Sequence, residues 1–393
     1  MTIKQVRYYI FLKDVLILAV TAFGGPQAHI ALFIDKFVVK RGYLSEKELM
    51  ELNALCQILP GPTSTQTITA IGFKVGGLPL AYLTLFVWAL PAVAIMILLA
   101  LGFTFFKSSG FLLDMTQYIQ PMAVGFIAYA GYKISVAVIE SKSGILVMIL
   151  AALLSYIYTS PYLFPVLLLA GGLVTAIKYK KQPQVEKNEP LRIKWDGFFL
   201  WAGVFVVAIA LGAITKLMPF KLFENFYRNG SLIFGGGQVL IPLLYSEFVE
   251  FKHYLTSQEF LSGYGFAQAV PGPVFSFSAY IGSLSMREYG TAGKILGGLS
   301  AAAGIFLPGT FLIFFVYRFW EGLKRYRIVR ASLEGITAAS SGMVVAAALL
   351  LFNPLETNWY NPTIVVVTFA LLQFTKIPSP FIILGGLLLG LVF

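Results

Sequence analysis

The sequence predicts an all-α integral membrane protein of about thirteen membrane helices (eleven to thirteen, broken and half-helices included), built from two homologous halves in inverted topology. Three observations carry this. Of 393 residues, 58% are hydrophobic and only 12% charged, with a mean hydropathy of +0.80; a soluble domain carries about 25% charged residues. A water-soluble chain could not hide that much apolar surface. The charges fall between long uncharged stretches, and the two halves share a motif pair at a fixed offset.

A charge inside the bilayer is costly, so uncharged stretches mark spans. They run 15–34, 52–73, 75–106, 115–132, 143–177, 197–215, 229–246, 260–286, 295–317, 335–355, 357–375 and 377–393. The 143–177 stretch is long enough for two short helices, broken at Thr159-Ser160-Pro161 because proline cannot continue the hydrogen-bond ladder. The basic segment Lys178–Lys194 and the group Arg318, Lys324, Arg325, Arg327 and Arg330 read as cytoplasmic by the positive-inside rule. Counting from them places the N-terminus inside and the C-terminus outside, with 49–73 and 260–286 crossing or re-entering. The expected organisation is an N-terminal half over 1–177, a basic loop and linker helix over 178–220, and a C-terminal half over 221–393. The start, MTIKQVRYYIFLKD, lacks a small-residue cleavage site and predicts no cleaved leader.

The repeat is specific. Phe23-Gly24-Gly25-Pro26-Gln27 recurs as Phe234-Gly235-Gly236-Gly237-Gln238, and Gln57-x-x-Pro60-Gly61-Pro62 recurs as Gln268-x-x-Pro271-Gly272-Pro273, both offset by 211. Over 23–65 against 234–276, 15 of 43 positions are identical without a gap. A duplication of this kind is common in secondary transporters, with the site near the midplane where the repeats meet.

Each motif predicts a broken helix. Glycines weaken the helix at Gly24-Gly25, and Pro26 suits the first turn of a new one. Gly235-Gly236-Gly237 does the same without proline. Ser45-x-x-Glu48 and Thr256-x-x-Glu259 read as capping boxes, each starting a helix that must stop at Pro-Gly-Pro. New helices then start at Thr63-Ser64-Thr65 and at Val274-Phe275-Ser276. Irregular backbone at membrane depth is tolerated only where protein buries it or it lines a cavity; the competing reading is a glycine kink for packing.

A helix N-terminus leaves about four N–H groups unpaired and carries roughly half a positive charge. Four such termini converging on one pocket would hold an anion without a lysine. Gln27, Gln57, Gln238 and Gln268 would add neutral donors, or else hydrogen-bond between helices. Thr63, Ser64, Thr65 and Ser276 add hydroxyls unequally, so the pocket is expected to be asymmetric. His29 is either a titrating group or a core histidine. Glu48 and Glu259 read as caps. Asp14, Lys133 and Glu334 read as coupling groups or interfacial anchors, Lys74 as an anion attractor or a snorkelling residue, and Cys56 as a small buried hydrophobe.

One cysteine and two histidines leave no disulfide framework and no expected metal site or cofactor. No P-loop, HExxH or cysteine–histidine pairing supports an enzyme or a self-contained ATP-driven pump. The positive-inside rule, rather than nucleic-acid binding, accounts for much of the net charge of +11, with an anionic substrate as a source for some of the rest.

FGGPQxH…QxxPGPT in the first half and FGGGQ…QxxPGPxFSFSxYxG in the second resemble the chromate transporter family, in its long two-half form and over nearly the full length. The family's motif positions here are Phe23, Gly24, Gly25, Pro26, Gln27, Gln57, Pro60, Gly61 and Pro62, then Phe234, Gly235, Gly236, Gln238, Gln268, Pro271, Gly272 and Pro273. The resemblance implies a prokaryotic inner-membrane exporter of chromate, conferring chromate resistance. It implies sulfate as a competing oxyanion and coupling to the membrane potential or proton gradient. The expected partners are chromate or sulfate, the lipid bilayer and a second copy of the chain. Competing readings are an oxyanion channel on the same scaffold, a transporter of another small anion and, remotely, a membrane enzyme or scaffold.

Overall fold

The computed structural model describes residues 3–106, 116–138, 141–158, 160–177, 195–234, 237–317, 319–320 and 326–392. Among these, every regular element is helical. The first half holds α1 (Ile3–Thr21), α2 (Gly25–Phe33), α3 (Glu46–Ile58), α4 (Thr63–Phe106), α5 (Ile119–Val138), α6 (Lys142–Ile157) and α7 (Leu163–Ala176). The linker helix α8 (Asp196–Thr215) follows. The second half holds α9 (Met218–Gly230), α10 (Gly237–Tyr245), α11 (Ser257–Ala269), α12 (Phe277–Ser285), α13 (Gly290–Val316), α14 (Arg327–Phe352), α15 (Tyr360–Phe374) and α16 (Ser379–Val392). The chain is a multi-pass membrane protein. Among the described residues, four segments are long and apolar enough to cross a bilayer, in α4, α8, α14 and the stretch Arg287–Val316 that includes α13. Among the described residues sixteen helices stand where about thirteen spans were expected, because several spans are broken into shorter helices.

The breaks fall where residue chemistry requires them. Uncharged 143–177 divides into α6 and α7 around Tyr158–Tyr162; Thr159 itself lies outside the described residues. Both capping boxes form: Ser45 and Thr256 accept from the Glu48 and Glu259 amides, and each glutamate returns the bond to the cap amide. Two charge-free stretches, 52–73 and 75–106, are joined in α4, which bends at Gly77 with φ 74 and ψ −167. Gly290 starts α13 with nearly the same angles, φ 69 and ψ −165. A side chain would be strained at that backbone geometry, so both halves spend a glycine on the same bend.

Gly77 and Gly290 stand 213 apart, and two further features recur at the 211 offset itself. Each broken helix runs on into a π-helical stretch, Ile34–Lys40 after α2 and Ser246–Phe251 after α10. The residue closing each turn is left-handed: Gly42 at φ 60 and His253 at φ 54.

The molecule has two hydrophobic cores. One gathers Phe11, Phe33, Phe37, Leu49, Leu55 and Trp88 of the first half. The other runs from Phe226, Phe248, Phe260 and Tyr280 of the second half into α5–α7 and α14–α16. Helices α1–α4 and α9–α13 interlock: α12 packs on α4, and α13 packs on α4 in the corresponding way. Linker helix α8 lies against α9 and α13, and the other six helices, α5–α7 and α14–α16, form a bundle around α14, which packs on α5, α6 and α7, while α15 packs on α5.

Candidate functional site

The two Pro-Gly-Pro loops cross the ends of the opposite half's first helix. Helix α3 ends at Ile58 and the backbone turns extended at Leu59; α11 ends at Ala269 and turns extended at Val270. Gly61 then adopts φ +116 and Gly272 φ +96, which only glycine takes without strain. The Gly61 amide donates to the Ile233 carbonyl at 2.7 Å, and the Gly272 amide donates to the Ala22 carbonyl at 2.8 Å. These bonds are each other's counterparts, since 22 and 61 map onto 233 and 272 at the same offset. Each satisfies a backbone carbonyl in the loop just beyond a helix end.

Fit reinforces the crossing. A Cβ on Gly272 would stand 3.3 Å from the Ala19 carbonyl oxygen and from Ala92 Cβ; one on Gly309 would stand 3.0 Å from the Pro60 carbonyl oxygen. Helix α2 restarts after Gly24 (φ +92) with Pro26 in its first turn. Helix α10 restarts at Gly237, beside Val274 and Phe275; Gly235 and Gly236 lie outside the described residues. The four broken ends therefore meet in reciprocal pairs, with the Gly61 and Gly272 amides committed to protein rather than left for a ligand.

The side chains at this crossing differ between halves. In the first half, His29 Nδ1 lies 3.0 Å from Ser64 Oγ, and Trp88 Nε1 donates to Thr65 Oγ1 at 3.1 Å. Gln66 Nε2 donates to the Pro60 carbonyl at 2.6 Å. Thr63, Ser64, Thr65, Gln66 and His29 are all buried. His29 Nε2 and Gln66 Oε1 are buried without a hydrogen-bond partner. The positions corresponding to His29, Thr63, Ser64, Thr65 and Gln66 are Leu240, Val274, Phe275, Ser276 and Phe277. There Phe277 meets Phe260 edge-on at 5.0 Å, and Phe275 lies 6.4 Å from Phe306.

The repeated glutamines part company. Gln27 and Gln57 are exposed on the outer face of α2 and α3. Gln268 is half-buried. The Gln238 side chain lies outside the described residues. Pro60, Pro62 and Pro273 are buried in the loops, Pro271 half-buried, and Ser276 buried.

The charged candidates are mostly engaged. Glu48 pairs with Lys74 at 2.5 Å, and Glu259 with Arg287 at 2.5 Å. Glu334 accepts from Ser141, Lys133 sits 5.8 Å over the Tyr129 ring, and Cys56 is buried. Asp14 is buried under Lys36 at 3.0 Å and Arg41 at 2.6 Å. Its counterpart was not legible in the sequence. Buried Glu247 is held by Arg228 and Lys252, both at 2.6 Å, and by Asn229 at 2.9 Å. Positions 14, 36 and 41 map onto 225, 247 and 252, so the carboxylate has changed element while the clasp has stayed. A polar cavity of about 220 Å³, lined by Glu224, Asn225, Arg228, Glu247, Lys252 and Tyr162 among others, lies over the second clasp. Gln66 and Trp88 were also missed; neither belongs to the repeated motif. Among the described residues no group of three metal-ligating side chains gathers.

The family model for chromate transporters matches residues 10–176 and 220–391. A probable chromate transport protein of Synechococcus elongatus is 25% identical over all of this chain and 96% of its own length. The chromate transport protein of Cupriavidus metallidurans is 25% identical, covering 100% of this chain and 93% of its own. An uncharacterised transporter of Methanocaldococcus jannaschii is 25% identical over 95% of this chain and 91% of its own. No solved structure matches the chain.

Proposed function

The chain belongs to the chromate transporter family, and from that premise we propose that it is a secondary-active exporter of a divalent oxyanion, chromate with sulfate as its competitor, in a prokaryotic inner membrane. The observation that carries the reading is the reciprocal crossing of four broken helix ends, Gly61 onto Ile233 and Gly272 onto Ala22. Paired breaks at a repeat interface are where secondary transporters hold their cargo.

The chemistry suits a tetrahedral dianion. The first turns of α2 and α4 supply N–H groups and partial positive charge. The buried hydroxyls of Thr63, Ser64 and Thr65 are neutral donors, and the amides of Gln27 and Gln57, exposed on the outer face in this structure, join them only when that face is covered. A pocket without a lysine pair would bind chromate weakly enough to release it. Gly24, Gly25, Pro26, Gly237, Gln238, Gln268 and Ser276 complete the proposed lining. Same-charge, same-shape sulfate would compete. The inverted relation of the halves is supported by the reciprocity of the crossing, since a two-fold exchanges its partners.

The test is uptake of radiolabelled chromate and sulfate into proteoliposomes, with and without an imposed pH gradient. Saturable, gradient-stimulated uptake is expected. Uptake of neither anion would overturn the cargo; saturation without gradient coupling would favour a channel.

A further inference from the structure

The molecule consists of two bodies, each with an internal two-fold, docked away from a common axis. In the first body the two-fold relates the Gly61 and Gly272 bonds. In the second it passes through the crossing of α5 and α14. There Ser135 Oγ meets Ser341 Oγ at 2.8 Å, and a Cβ on Gly131 would lie 3.4 Å from Val345 Cγ2. At an offset of 210, Ser135 maps onto Val345 and Gly131 onto Ser341, so these contacts exchange. Around that crossing α6 packs on α14, and its counterpart α15 packs on α5.

The docking between the bodies breaks this symmetry. Helix α14 packs on α10, and α5 and α16 pack on α11. The counterpart helices α2 and α3 have no comparable packing with α5, α7 or α14. Burial records the difference: Leu261 and Gly265 of α11 are buried where their counterparts Met50 and Ala54 of α3 are exposed, and Gln268 is half-buried where Gln57 is exposed. Helix α16, by the same token, leans on α11 and touches α5 far less than α7 touches α14.

We infer that the bare face of α2 and α3 is a second docking surface for this same bundle, and that the protein alternates between the two dockings. The inference rests on the transport reading above. Applying the core two-fold to the existing contacts gives the second state without new chemistry: α5 on α2, and α14 and α7 on α3. In the structure Gln27 and Gln57 are uncovered; in the second state they are covered and the α10–α11 face opens. The amides of Gln27 and Gln57, exposed together with Met50 and Ala54, are costly against lipid, and a transient protein cover answers that cost. A two-state element of this kind is what alternating access needs.

The contact at Gly265 supplies the test. A Cβ there would collide with Ile119; the counterparts are Ala54, which is exposed, and Val329, which is half-buried. With the single native cysteine removed (Cys56→Ala), Ala54→Cys/Val329→Cys should form a disulfide on oxidation in membranes. Protection of both thiols from a maleimide polymer reads it, and reductant should reverse it. Ala54→Trp is the second variant. It points outward, so its melting temperature should stay within a few degrees of the unmodified protein while anion flux falls at least tenfold. Thiols that stay fully reactive after oxidation, together with undiminished flux in Ala54→Trp, would overturn the alternation and leave the cargo standing. A disulfide in protein that moves neither chromate nor sulfate would support the alternation and remove the cargo.

Discussion

At the crossing, the first half places His29 against Ser64, where the second half places Leu240 and Phe275. The backbone around them barely differs: the left-handed glycines 61 and 272, the bends at 77 and 290 and the π-helical stretches all recur. The duplication has held its backbone and released its side chains. Broken helices are needed by both halves, because each break satisfies a carbonyl just beyond the other's helix end. The buried histidine and glutamine, His29 and Gln66, are present on one side only, which fits a single cargo bound off the symmetry axis rather than two equivalent sites.

The comparison breaks most visibly at the clasps. Glu247→Gln leaves Arg228 and Lys252 without their buried counter-charge, and losing one partner of such a group costs about 3–5 kcal/mol. Asp14→Asn should cost less, because Arg41 is the more open cation. Thermal melts of the purified variants check the order; equal losses would mean that the two clasps are equally buried in the membrane. Next come Gly61→Ala and Gly272→Ala, which force a side chain into positive φ at about 1–2 kcal/mol and into contacts already tight. Both should lose flux at least tenfold. Loss from only one would show that a single crossing carries the site.

His29→Leu copies the second half into the first. It should keep the fold, as Leu240 does, and lower chromate flux about tenfold, worth roughly 1.4 kcal/mol. Leu240→His should instead destabilise, since an apolar site gives the ring no partner. Gln27→Ala with Gln238→Ala should weaken chromate or sulfate binding by a similar factor without loss of folded protein; unchanged affinity in a binding titration would remove the amides from the site. The smallest effect belongs to His253→Gly, which copies Gly42. Relieving a left-handed side chain is worth up to about 1 kcal/mol net, read as a rise of a degree or two in melting temperature.

The sequence made the breaks legible because glycine and proline punctuate them: Gly24-Gly25-Pro26 and both Pro-Gly-Pro loops fall where the helices stop. The capping boxes were equally plain, since a four-residue signature suffices. The bend at Gly77 was not. It sits within a near-continuous apolar run, and a lone glycine there reads as packing until its φ is seen. The clasps were hidden because the acid moved from α1 in one half to the π-helical stretch in the other, so no identity marks them. The relation of α5 to α14 was hidden for a similar reason: its crossing needs small residues, not particular ones, and Gly131 maps onto Ser341. The orientation of Gln27 and Gln57 depends on which half the bundle covers, a tertiary choice that no local pattern encodes.

The π-helical stretches date the molecule's history. Such a stretch accommodates a surplus residue within an α-helix, and it is rare in proteins at large. Finding it at the same place in both halves, each closed by a left-handed residue at 42 or 253, means that the surplus residue was already present in the single-length ancestor. The insertion therefore came before the duplication, and the clasp beside it diverged afterwards.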